Sequence, residues 1–239
     1  MIGLIGYGNI GQAIANGLNN EVLISDIVKK TGFVSNTELT EKADVIFLCV
    51  KPEEFSNLAQ EIKSYVKDTT LLISLSPTHS INDLEIMFNH KGVVRYMPNT
   101  SISVNKGVSI VSHNIIDGFE TSMNQFMDSM NKLGYVHKVA EHLIASTIGV
   151  AGSGIAIVFE LLESMGMAGI MNGLSKELSY QLAAETLIGA GEMYKQTKKH
   201  PAELRDQVCS PNGITIKAVS KLEEQGFRGA VLNAIKETM

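Results

Sequence analysis

The residues able to do chemistry in this 239-residue chain fall in a few short runs, and they are mostly Gly, Asn, Ser and Thr rather than strong acids, bases or nucleophiles. The first run is Gly6-Tyr7-Gly8-Asn9-Ile10-Gly11, directly after the apolar stretch Met1 to Ile5. At this spacing Gly6 permits a tight turn out of a strand, Gly8 lets a diphosphate approach the backbone, and Gly11 allows close packing of the following helix, whose positive end would hold the anion. A bare strand-to-helix turn has the same spacing, but the position at a first strand favours dinucleotide binding through Gly6, Tyr7, Gly8, Asn9, Ile10 and Gly11. Asp26 follows the first glycine by the interval at which an acidic side chain holds the adenine ribose 2′-hydroxyl, which favours NADH; the alternative is a solvated loop carboxylate near Lys29 and Lys30.

Three further runs stand at other predicted element ends. Cys49-Val50-Lys51-Pro52 closes an apolar strand at the carboxyl edge where wound sheets bind ligands, making Val50, Lys51 and Pro52 candidate cofactor contacts. Lys51 either faces the cofactor or stands exposed before a helix-starting proline, and Cys49 reads as a core residue with nothing nearby to lower its pKa. Val93 to Thr100 is a strand that breaks at Pro98, so Asn99 either meets the cofactor at the same edge or bonds the backbone of its own turn. Ser210-Pro211-Asn212-Gly213-Ile214-Thr215 leads into a helix predicted from about Ile216 to Gln225. Its backbone amides and the Thr215 hydroxyl form a cradle for a carboxylate, or else a plain helix cap. His200-Pro201 reads as a helix-ending pair, and the six histidines lack metal-ligand spacing, so no metal is expected.

A scaffold that brings strand ends to one edge is needed to position these runs, and the first half has that pattern. Strands are predicted at Met1 to Ile5, Val22 to Ser25, Val45 to Val50, Leu71 to Leu75, Val93 to Met97, Gly107 to Val111 and Tyr135 to Val139. Helical spacing falls at Asn9 to Leu18, Glu53 to Tyr65, Ile81 to Phe88 and Asp117 to Leu133. The alternation predicts an α/β fold, a doubly wound Rossmann-type parallel sheet over residues 1–140, with the segment Asp26 to Ala43 crossing as a loop. From Glu141 the strand pattern stops, and residues 141–239 read as an all-helical dimerisation domain. Its small residues allow close helix contacts, and its apolar surface exceeds what one small bundle buries, which predicts a homodimer.

Composition narrows the function classes. A formal net charge of −5 provides no basic field for nucleic acid. Only Cys49 and Cys209 are present, too few for a disulfide framework, which suits a cytoplasmic protein. Strand-like residues begin at Met1, so no secretory leader is expected. The apolar stretch Ile144 to Phe159 is broken by Ser146, Thr147 and Ser153, and is expected to be a buried helix rather than a membrane span.

Taken in order, the glycine run Gly6 to Gly11, Val50-Lys51-Pro52, Arg95 to Thr100, Gly152-Ser153-Gly154, the segment from His200-Pro201 through Asp206 to the Ser210 to Thr215 loop, and Gly226-Phe227-Arg228 make the chain resemble the pyrroline-5-carboxylate reductases over essentially its full length. The resemblance implies reduction of 1-pyrroline-5-carboxylate, a small cyclic imine carboxylate, to L-proline with NADH or NADPH, the last step of proline biosynthesis. It implies an intertwined homodimer with the substrate site at its interface, with larger rings of dimers common in the family. Carried over by position, Asn36 matches a cofactor-contacting asparagine. Ser210, Asn212, Gly213, Ile214 and Thr215 match the loop that holds the substrate, with Thr215 as the catalytic hydroxyl orienting the ring nitrogen.

The chain departs from the family at Ser101 and Ile155, where proline is usual, and at Asn212, where glycine is usual; asparagine tolerates the left-handed backbone such a turn needs. The crossover after Asp26 is also shorter than usual. Two other readings stand beside the resemblance. One is a reductase of a different small imine or hydroxy acid, although no lysine base follows Gly152-Ser153-Gly154. The other is a catalytically silent dinucleotide-binding paralogue.

Overall fold

The computed structural model describes residues 1–19, 21–115 and 117–238. Seven strands form one sheet: β1 (Ile2–Ile5), β2 (Leu23–Ser25), β3 (Val45–Leu48), β4 (Leu71–Ser74), β5 (Val93–Pro98), β6 (Gly107–His113) and β7 (Gly134–Lys138), in the order β2-β1-β3-β4-β5-β6-β7. Strands β1 to β5 are parallel, β6 is antiparallel to β5, and β7 is parallel to β6. The wound parallel sheet expected from the sequence is thus present, with one antiparallel neighbour at β6. Only residues 99–106 join β5 to β6, too few for the crossover a parallel neighbour requires, so the chain doubles back. The reversal is made by a 3-10 turn at Thr100–Val104, closed by Asn105 in the left-handed region with φ 58°.

Helices α1 (Asn9–Gly17), α2 (Asn36–Lys42), α3 (Phe55–Ile62), α4 (Ile81–Phe88) and α5 (Glu120–Leu133) connect the strands. The segment expected to cross as a loop contains α2. Gly32, whose presence argued against a helix, lies in the preceding loop, while Ser35 caps α2 by accepting a bond from the Glu38 amide at 3.1 Å. Alternation along the strands divides the core between two faces. Val45 and Phe47 of β3 join Tyr96 and Phe126 on one side, whereas Ile46 and Leu48 join Phe55 and Phe88 on the other. The rings of Phe47, Tyr96 and Phe126 meet at centroid distances of 5.6–6.0 Å. Burial raises the Tyr96 phenol, which is satisfied by the Ser109 hydroxyl at 2.9 Å.

The chain forms two compact units, Met1–Gly152 and Ser153–Met239. Residues 141–152, which the change of pattern groups with the helical half, belong to the first unit. They comprise α6 (Ile144–Thr147) and a π-helical turn at Ile148–Gly152. Ile144 is buried, the Asn99 amide donates to the Ala151 carbonyl at 3.0 Å, and Arg95 pairs with Glu141 at 3.0 Å. These contacts tie the segment to the end of the sheet.

The second unit contains α7 (Gly154–Met171), α8 (Lys176–Thr197), α9 (Pro201–Gln207), α10 (Ile214–Glu224) and α11 (Phe227–Lys236). Helices α7 and α8 cross closely because Gly166 and Gly169 have no side chain. A Cβ at Gly166 would overlap the Tyr180 ring, and the Ser179 hydroxyl reaches the Gly166 carbonyl at 2.6 Å. Among the described residues of this unit only Gly166, Ser179 and Ala183 are buried. The stretch Ile144 to Phe159 was expected to be buried, but Val150 is 71% and Phe159 58% exposed in the single chain. The longer helical run Glu141–Met171 is long and apolar enough to cross a membrane by length and composition alone. One chain supplies too few neighbours to cover it.

Candidate functional site

A cleft of about 730 Å³ opens at the carboxyl edge of β1, β2 and β3, where the order of the sheet reverses between β1 and β3. In wound sheets this crevice is where a ligand fits. Gly6 stands at its base with φ +100°, and a Cβ there would come within 2.6 Å of the Cys49 carbonyl oxygen, so both the conformation and the space exclude any other residue. A Cβ at Gly11 would overlap the Gly6 carbonyl oxygen. Gly8, by contrast, has open space where a Cβ would stand. It is the N-cap of α1 and has no side chain to satisfy the amides of the first turn. The helix therefore presents uncapped N–H groups to an unobstructed approach, which is the arrangement a diphosphate requires.

Asp26 closes this loop. One carboxylate oxygen accepts from the Tyr7 amide at 2.5 Å and the other from the Val28 amide at 2.8 Å. Ser25 holds the turn from the other side by accepting the Gly6 amide on its carbonyl at 2.8 Å, while its hydroxyl donates to Asn36 Oδ1 at 2.7 Å. Asn36 Nδ2 in turn donates to Glu61 at 2.8 Å. The Tyr7 ring packs edge-on against Phe33, with the Lys30 ammonium 5.5 Å from its centroid. Val50 and Lys51 line the cleft beside Asp26, Ile27 and Asn36, and Pro52 takes the first position of a short 3-10 helix at Pro52–Glu54. Burial pushes the Cys49 thiol up to about 12, which leaves it an inert part of the wall.

The structure thus brings Gly6, Gly8, Asp26, Asn36, Val50 and Lys51 around one cleft. Asn99 takes the backbone-bonded alternative: its side chain donates to Ala151 and accepts from the Val108 amide at 3.2 Å, and it is 7% exposed. It anchors the turn after β5 with both ends of its amide.

The Ser210 to Thr215 run belongs to the second unit. Asn212 adopts the left-handed backbone with φ 57°, so it fills the conformational role of the glycine it replaces. The Gly213 amide donates to the Ser210 carbonyl at 3.0 Å, and a Cβ at Gly213 would overlap the Ser210 hydroxyl. Helix α10 begins at Ile214, two residues before the expected start, because Gly213 serves as N-cap. Thr215 is therefore in the first helical turn. No side chain caps α10, so the plain-cap reading of this run finds no hydrogen bond. His200-Pro201 opens a helix rather than ending one: the Ala202 amide donates to His200 Nδ1 at 3.2 Å, and Pro201 is the first residue of α9.

Two groups gained importance only in three dimensions. Arg95, nearly buried on β5, donates to Glu141 and to the Pro77 carbonyl, each at 3.0 Å. The same Glu141 oxygen accepts the Ile81 amide at 2.6 Å, so one ion pair fixes the loop between β4 and α4. Glu54, Asn57, Leu58 and Glu61 line the cleft from α3 and its lead-in at helical spacing. That periodicity was visible in the sequence, but no motif marks it. Among the described residues no cluster of His, Cys, Asp and Glu could hold a metal.

A glycine cradle at the switch point of a wound sheet, followed by a helical unit with little core of its own, defines a two-domain nucleotide-dependent oxidoreductase. Residues 122–239 match the family model described as pyrroline-5-carboxylate reductase dimerisation, and residues 21–78 match that of an NADP oxidoreductase, coenzyme F420-dependent. The pyrroline-5-carboxylate reductase of Escherichia coli is 34% identical over 100% of this chain and 95% of its own. Pyrroline-5-carboxylate reductase 2 of Homo sapiens is 31% identical over 98% of this chain and 80% of its own. The crystal structure of a Plasmodium falciparum pyrroline carboxylate reductase with NADP bound superposes with a TM-score of 0.90 at 31% identity, covering 99% of this chain and 94% of that one. The chain belongs to the pyrroline-5-carboxylate reductase family.

Proposed function

We propose that the protein reduces 1-pyrroline-5-carboxylate to L-proline. The observation that carries this reading is full-length membership of the family combined with an intact cofactor cradle, in which Gly8 is open, Gly6 and Gly11 admit no side chain, and Asp26 pins the loop. When bound, NAD(P)H would supply a hydride to the carbon of the C=N bond, and the nitrogen, already protonated, would become the amine. The work left to the chain is binding and orientation, and a site of amides and hydroxyls suits it. The amides at the start of α1 hold the diphosphate. Val50 and Lys51 form the cleft wall on the side of β3, and Pro52 starts the turn that follows them. The Ile214 and Thr215 amides, which follow the Gly213 N-cap, receive the substrate carboxylate, with Ser210 and Asn212 shaping the turn, and the Thr215 hydroxyl orients the ring nitrogen.

The reading assigns cofactor binding to residues 1–140 and dimerisation and substrate binding to residues 141–239. The exposed apolar surface of α7 and α8 and the dimerisation match support pairing with a second copy; the rings of dimers that the family resemblance implies would need a further contact. A cytoplasmic setting is supported by the unpaired Cys49 and Cys209. The test is loss of NADH absorbance on adding pyrroline-5-carboxylate, with proline identified as product. Absence of oxidation above the uncatalysed rate, with cofactor bound, would overturn the assignment.

A further inference from the structure

We infer that Glu61, acting with Asp26, makes the adenosine end of the cleft select a free ribose 2′-hydroxyl over a 2′-phosphate, so that the chain takes NADH in preference to NADPH; this rests on the reading of the cleft as the dinucleotide site. The ribose of a dinucleotide at such a switch point comes to the acidic residue that ends the second strand, here Asp26. Both oxygens of Asp26 are tied to backbone amides, Tyr7 at 2.5 Å and Val28 at 2.8 Å, so its charge cannot swing away from an incoming phosphate.

The second carboxylate arrives from α3. Glu61 lines the same cleft and accepts from Asn36 at 2.8 Å, and Asn36 accepts from the hydroxyl of Ser25, the neighbour of Asp26, at 2.7 Å. A carboxylate only accepts, so the Asn36 amide is oriented with its nitrogen toward Glu61 and its oxygen toward Ser25. Asn36 is thereby a rigid link that fixes Glu61 at the end of the chain Gly6–Ser25–Asn36. Asp26, Glu54, Glu61, Lys29 and Lys51 line the cleft, while Lys30 stands over the Tyr7 ring in the hollow on the other side of Asp26. A 2′-phosphate would bring further negative charge against the fixed carboxylates of Asp26 and Glu61, whereas a hydroxyl can donate to their oxygens.

The substitution Glu61→Gln tests the charge alone, because the glutamine carbonyl can still accept from Asn36, and Glu61 is exposed, so the fold tolerates the change. The full-length protein and the variant would be titrated calorimetrically with adenosine 5′-monophosphate and adenosine 2′,5′-bisphosphate, then with NADH and NADPH, alongside a melting curve. The expected result is preference for the 5′-monophosphate by about tenfold in the wild type, narrowed by about fivefold in the variant, with melting temperature unchanged. An unchanged ratio in the variant, or wild-type preference for the bisphosphate, overturns the inference. Failure of both nucleotides to bind overturns it together with the dinucleotide reading of the cleft. Selective nucleotide binding without imine reduction removes the proposed substrate and leaves the inference standing.

Discussion

The units Met1–Gly152 and Ser153–Met239 resolve the same problem, covering apolar surface, in opposite ways. In the first, both faces of the sheet are sealed by helices of the same chain, and Leu4, Val45, Phe47 and Tyr96 have no exposure. In the second, α7 is apolar nearly all round, yet its Phe159 is 58% and its Met171 85% exposed, as are Ile188 of α8 (59%) and Ile214 of α10 (87%). A helix of that composition needs neighbours on every side. The difference teaches that the cofactor cleft is shaped by local folding, whereas the helical unit leaves apolar surface that its own chain does not cover.

The contrast breaks most severely at the helical surface. Phe159→Glu places a charge on an exposed apolar position, and it is expected to give monomers on sedimentation and to lower imine turnover by about 100-fold, ~3 kcal/mol, while NADH still binds the first unit. A stable, active dimer would refute the division. Next in size, Gly11→Ala forces a methyl into the Gly6 carbonyl, and overpacking of this kind costs about 1–3 kcal/mol. The expected outcome is a lower melting temperature and weakened NADH binding with sedimentation unchanged.

Thr215→Val should lower kcat by about tenfold, ~1.4 kcal/mol, through loss of a hydrogen bond to a charged nitrogen, with the NADH dissociation constant and melting temperature preserved. An unaltered kcat with a lower melting temperature would make Thr215 a structural residue instead. The smallest effect is a titration within the first unit. Burial, and secondarily Lys138, holds the His113 imidazole below its ordinary value of 6.5, and its Nδ1 is buried without a partner. The unfolded chain takes up this proton more readily, so stability is complete above about pH 6.5 and declines as the pH falls toward the folded value. Thermal melts from neutral to acid pH should show a shallower decline in His113→Asn, and parallel curves would exclude His113 as the source.

The first unit was legible because its signals are local. Each expected strand has its counterpart, and Gly6, Gly8 and Gly11 announced the cradle. The reversal at β6 was written in the length of the 99–106 connection rather than in any residue type, and α2 was obscured by a glycine that lies outside it. Glu61 and the Arg95–Glu141 pair depend on contacts between distant segments, which no spacing rule reaches. The run from Ile144 to Phe159 was misjudged as buried because apolar composition reports the need for cover and not whether the same chain provides it. The start of α10 shifted by two residues because Gly213, with no capping side chain, ends the turn earlier than the pattern of larger residues indicates.

With the bare flank of α7 covered by a second copy as proposed, the protein's abundance becomes a variable of its own stability. Where a folded state exists only in association, mass action couples its melting point to the amount of chain present. Dilution should erode the helical half first, and a cell making little of this chain would hold less than a proportionate share of it in working form. Synthesis rate then controls activity twice, once through the number of chains and again through the fraction that finds a twin.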